Sequence, residues 1–275
     1  MQHLLHKTLH YWHLLSLDAP TVAALWCWAF GLAAHLRLAL WLPAALALGT
    51  WLFYVADRLL DAQFSPSSSL RLRHHFLRQH RRRFVAAALP VGIALALLVA
   101  RMPHSLLLAY CALGAVSLLY LAVVHLPHRQ PGNPPRWFPK ELAVGLLFAA
   151  ATALPAWDEA RRRAAGMPRH HPLLLLCPLF AALCWLNCMA IEEWEAGHSG
   201  RHARLLAVGT AAAGLLCLTE LFSDGARLLA LLAVGSASLI VLLDRSRLTA
   251  TARRIAADLV LLTPLLLLAA PRLAR

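Results

Sequence analysis

The sequence predicts an all-α integral membrane protein, one transmembrane domain over residues 1–275 built as a bundle of about nine spanning helices. Three observations carry that expectation. The chain is 60% hydrophobic and only 14% charged, far more apolar than a soluble domain of ordinary usage. Its apolar residues fall in runs of spanning length, separated by joints rich in arginine, histidine and proline. Trp41, Trp51, Trp137, Trp157, Trp185 and Trp194 lie towards the ends of those runs, as interfacial aromatics do, with Trp26 and Trp28 as exceptions.

The segment 1–17 forms a short interfacial helix in this reading. His3, His6, His10 and His13 share one face, and Leu5, Leu9 and Trp12 another. Solvated or headgroup-facing imidazoles explain these histidines better than a metal or haem. The same residues give no secretory signal pattern, so insertion falls to the first spanning helix. Asp18 and Pro20 open that helix as N-cap and first-turn proline. Successive spans are expected at 20–36, 38–56, 84–101, 104–124, 140–157, 172–190, 205–222, 226–243 and 255–271. The second contains Pro43 and runs close to the first.

The six cysteines lie in apolar runs without CxxC spacing and read as small buried apolar residues. The net charge of +13 raises the question of nucleic acid. In so apolar a chain, loop arginines instead orient the protein, touch anionic headgroups or hold an anionic substrate. Of the 26 lysines and arginines, 17 fall in the joints on the N-terminal side of the membrane and 9 on the other. The N-terminus is therefore expected in the cytoplasm and the C-terminus opposite, in a bacterial-type inner membrane. Arg161, Arg162 and Arg163 run against that bias, offset in part by Asp158 and Glu159.

Three joints on the expected cytoplasmic side, 62–83, 125–139 and 191–204, form the mouth of the expected active site. The stretch TWLFYVADRLLD ends an apolar run on Asp57 and Asp61, one helical turn apart on one face. Two like charges there repel unless a cation lies between them. Mg²⁺, which takes one or two carboxylates plus phosphate oxygens, suits such a pair. Arg58, Arg78, Arg81, Arg82 and Arg83 are candidate diphosphate clamps, since guanidinium forks match phosphate oxygens; orientation signal is the plainer explanation for any one of them. The second joint is proline-rich and leads to Lys140 and Glu141, which suit an interfacial pair. In the third, IEEWEAGHSGRH, Glu192 and Glu195 share a helical face while Glu193 points elsewhere. His198 and His202 have the spacing of a helical metal pair, but Gly197 and Gly200 break the helix between them. Acids thus end the second and the sixth span, and two carboxylate pairs converging on one cavity would hold two Mg²⁺ ions against a diphosphate.

In span number and in the placing of these acids, the whole chain resembles the UbiA-type intramembrane prenyltransferases. That family has nine transmembrane helices, an N-x-x-x-D-x-x-x-D motif after the second and a further acidic motif after the sixth. Here FYVADRLLD matches the first with Asp57 and Asp61, with Phe53 in the asparagine's place. NCMAIEEWE matches the second with Asn187 and Glu195, while Ile191 stands where an aspartate is expected and Glu192 or Glu193 substitutes for it. Tyr120 and the KELAVGLLF run, which begins at Lys140, resemble family positions less specifically. The resemblance implies a UbiA-like bundle and Mg²⁺-dependent transfer of a prenyl group from a polyprenyl diphosphate to a small, often aromatic, acceptor. Asp57, Asp61, Glu192 and Glu195 would be the catalytic metal ligands. Arg58, Arg78, Arg81, Arg82, Lys140 and Asn187 would meet the diphosphate. The partners are these substrates and the bilayer, not nucleic acid. Because Phe53 and Ile191 each remove a polar ligand, the alternative is a UbiA-like binder of isoprenoid or quinone lipids without turnover.

Overall fold

The computed structural model describes residues 2–64, 72–125, 140–163, 172–198, 200–220 and 223–269. Among these, every regular element is helical: α1 Gln2–Leu14, α2 Asp18–Ala33, α3 Trp41–Phe64, α4 Leu72–Gln79, α5 Arg81–Val99, α6 His104–His125, α7 Lys140–Arg163, α8 Leu173–Glu195, α9 Arg201–Glu220, α10 Asp224–Asp244, α11 Ala250–Val260 and, after a 3₁₀ turn at Thr263–Leu265, α12 Leu266–Ala269. Each apolar segment expected to span carries helix. Among the described residues, five helices can cross a membrane by length and composition: α5, α7, α8, α9 and α10. The number is six if α1 and α2, bent by 88° at their junction, make one broken span.

The chain divides into two compact units. The first comprises Met1–Thr21 and Leu40–Arg136. Here α3 contacts α4, α5 and α6. Val55, Leu77 and Phe84 form a small core, ringed by Trp51, Leu59 and Phe76. Phe84 stacks on Trp51 at 6.4 Å and meets Phe76 edge-on at 6.3 Å, so α4 is held by aromatic packing against α3 and α5. Helix α4 lies inside the segment expected to be only a joint. Beyond Phe84, α5 leaves Val85, Leu89, Ile93 and Leu97 exposed at four-residue intervals, a stripe suited to lipid.

The second unit comprises Val22–Ala39 and Trp137–Arg275. Its central element is α8, which contacts α7, α9, α10 and α11. Phe180 on α8 stacks on Trp26 at 4.1 Å and lies against Phe30 and Phe148, joining α2 and α7 to the centre. Small residues set the spacing. A Cβ on Gly145 of α7 would lie 2.9 Å from the Trp185 backbone nitrogen and 3.0 Å from the Ala181 carbonyl oxygen, so α7 and α8 meet nearly backbone to backbone.

The last segment differs from the single span expected at 255–271. Thr249 caps α11 by accepting from the Ala252 N–H, and the helix ends at Val260, ahead of the 3₁₀ turn. Pro264 is the cause: it lacks the N–H that would bond to the carbonyl four residues back, Val260, and its ring clashes there. In an apolar interior the freed carbonyls need other donors. Ser236 Oγ donates to the Val260 carbonyl at 3.1 Å, and Trp26 Nε1 donates to that of Leu261 at 2.8 Å.

Candidate functional site

In the first unit the expected acidic motif ends α3. Asp57 is half-buried, and Asp61 follows one turn later on the same helix; the Asp61 side chain lies outside the described residues. Arg58 points into a buried network that the sequence did not suggest. Its guanidinium donates to Ser16 Oγ, lies 3.8 Å from Asp18 Oδ2 and sits over the Tyr54 ring at 5.9 Å. His13 Nδ1 lies 3.0 Å from the same Asp18 oxygen; because a carboxylate only accepts, that nitrogen carries the proton. The network forms where the chain turns between α1 and α2, with Ser16 in the left-handed region at φ 61°. Arg78 on α4 and Arg81 and Arg82 at the start of α5 are exposed.

In the second unit the other acidic motif ends α8. Its three glutamates have three different partners. Glu192 is the most exposed and lies 3.8 Å from Lys140 Nζ, which also lies 3.7 Å from Glu141. Glu193 turns the other way and caps α9, accepting from the backbone N–H groups of His202 at 3.3 Å and Ala203 at 3.2 Å and from His202 Nδ1 at 2.8 Å. Its carboxylate thus sits at the positive end of that helix. Glu195 accepts from Arg254 on α11 at 2.6 Å. Asn187, two turns earlier on α8, donates its amide to Asp258 on α11 at 3.2 Å. Ile191, in the place of an expected aspartate, is 7% exposed and belongs to the hydrophobic core. His198 lies in the break between α8 and α9, where Gly197 and Gly200 have φ of 70° and 62°, while His202 lies on α9.

Lys140 and Glu192, both expected at the site, are therefore brought together, and Asn187 and Glu195 each gain a partner from α11. Arg254 and Asp258 were missed. The signal in the sequence was Asp258, an acid inside the segment expected to span at 255–271, where a charge is uncommon and points to function. The joint 125–139 falls, beyond His125, outside the described residues.

The donors on α8 are oxygens, as a hard cation such as Mg²⁺ requires. Asn187 Oδ1 is buried and has no hydrogen-bond partner among the described residues, leaving an acceptor that a cation or a ligand N–H or O–H would satisfy. Lys140 and Arg254 meanwhile supply positive charge to the two glutamates.

Compared with known proteins, the chain matches no family model, no curated protein and no solved structure.

Proposed function

We propose that this is a membrane-embedded, Mg²⁺-dependent prenyltransferase of the UbiA type, moving a prenyl group from a polyprenyl diphosphate to a small acceptor such as an aromatic ring. The observation that supports this reading most is the end of α8, where Glu192 lies 3.8 Å from Lys140 and Asn187, two turns before the last glutamate, keeps a buried acceptor unsatisfied among the described residues. The proposal includes a bundle of nine spans in a bacterial-type inner membrane, with the N-terminus cytoplasmic and the C-terminus opposite.

Asp57 and Asp61 on α3, with Glu192 and Glu195 on α8, are the residues that would hold the ions. Bound Mg²⁺ would supply charge neutralisation to the diphosphate as it departs. The exposed cations Arg78, Arg81, Arg82 and Lys140 donate to phosphate oxygens. Arg58, committed to Asp18 and Ser16, holds the chain turn before α2. The prenyl C–O bond breaks with its electron pair going to the diphosphate, an electron pair of the acceptor forms the new bond, and the acceptor's displaced proton passes to solvent. Apolar helices keep water from the prenyl carbon meanwhile.

A second reading, a binder of isoprenoid or quinone lipids without turnover, is favoured by Ile191, a core residue where the family pattern has an acid, and by the basic partner already on Glu195. One assay separates the two. Purified protein in detergent, given Mg²⁺ and geranyl, farnesyl or geranylgeranyl diphosphate with an aromatic acceptor, is expected to release pyrophosphate. Binding of a prenyl diphosphate without release would favour the second reading.

A further inference from the structure

We propose that α11 is the positioning element of the acidic motif on α8, with Arg254 fixing the Glu195 carboxylate and Asp258 fixing the Asn187 amide. The inference rests on the reading above and assigns roles to two residues outside either acidic motif.

The two helices are matched in register. Asn187 and Glu195 are eight residues apart on α8, about 12 Å at helical rise, while Arg254 and Asp258 are one turn apart on α11, about 6 Å. The length of the arginine side chain spans the difference. Asn187 pairs with Asp258 and Glu195 with Arg254, so α11 runs back as α8 runs forward and each α8 group meets its chemical complement. All four groups are removed from water: Asn187 and Asp258 are 6% and 9% exposed, and the side chains of Glu195 and Arg254 18% and 13%.

The chemistry of the pairs sets what the motif presents. A carboxylate only accepts, so Asp258 must take the NH₂ end of the Asn187 amide and turn its carbonyl oxygen the other way. That oxygen is the buried acceptor with no hydrogen-bond partner among the described residues. With a neutral residue at 258 the amide would be free to reverse. Arg254 does the corresponding work on Glu195, for a planar guanidinium fixes the carboxylate's orientation as well as offsetting its charge. Groups that orient metal ligands in this way typically change metal affinity by about 10–100-fold when removed.

The test reads metal binding directly, with Mn²⁺ as a paramagnetic stand-in for Mg²⁺, on the full chain in detergent. EPR titration of Asp258→Asn and Arg254→Gln is expected to show Mn²⁺ affinity reduced about 10-fold or more in protein that keeps its helical circular-dichroism spectrum, and Arg254→Lys to bind nearly as the parent does. Should Asp258→Asn fail to fold, the contrast between Arg254→Lys and Arg254→Gln decides. Retained binding in the first with weakened binding in the second supports the positioning role, and equal binding in the two overturns it. Variants that bind as the parent does, or a parent that binds no Mn²⁺, also overturn it. Pyrophosphate release is followed in parallel: a parent that releases none sinks the transferase reading, while the Mn²⁺ titration still decides the roles of Arg254 and Asp258.

Discussion

Arg58 has Ser16, Asp18 and Tyr54 within reach of its side chain and almost no contact with water. From the sequence it reads as a diphosphate clamp, because it sits between Asp57 and Asp61 and arginine suits phosphate. What a linear reading could not reveal is that the chain turn at Ser16 carries Asp18 and His13 to the same place. Breaking a buried ion pair leaves the remaining charge uncompensated, which costs about 3–5 kcal/mol. Arg58→Ala is therefore expected to destabilise the protein by about 3 kcal/mol in detergent unfolding, with Asp18→Asn, which keeps a hydrogen-bonding group, costing less. An Arg58→Ala protein of unchanged stability with a raised KM for prenyl diphosphate would return this residue to the diphosphate. Glu193 is the opposite case. Helical spacing alone separates it from Glu192 and Glu195, and it caps α9.

Among the elements, the apolar runs were legible because burial in lipid requires length more than pattern, and helix lies in every run singled out from composition. Ends and breaks were less legible. The aromatic contacts that hold α4 depend on Trp51 and Phe84 from other helices, and the end of α11 depends on Pro264 together with donors from Ser236 and Trp26. Neither is a local property of its segment. The close approach of α7 and α8 was likewise hidden in one glycine among 13. Gly145→Ala forces a methyl to within 2.9 Å of backbone that has no side-chain freedom to yield. Overpacking of this kind costs about 1–3 kcal/mol, so a clear fall in unfolding temperature is expected, with Gly209→Ala, whose Cβ would meet nothing, as the control. Equal stability of the two variants would contradict the packing described for α7 and α8.

For the molecule as a whole, what the sequence supplied was class, a pattern of charged joints and two acidic helix ends; the partners that α11 brings to α8 needed coordinates. Orientation is tested by cysteine labelling. Arg82→Cys in a cysteine-free background is expected to react with a membrane-impermeant maleimide only after spheroplasts are permeabilised, and reaction in intact spheroplasts would invert the topology. In the proposed transferase, carboxylates on α3 and on α8 serve a prenyl diphosphate through Mg²⁺. Pyrophosphate release from purified parent protein and Asp61→Ala, each with Mg²⁺ and with EDTA, decides this. Release by the parent is expected to require Mg²⁺ and to fall at least 100-fold, about 2.7 kcal/mol of transition-state stabilisation, in a folded Asp61→Ala. Release that survives EDTA, or undiminished turnover by Asp61→Ala, would contradict it.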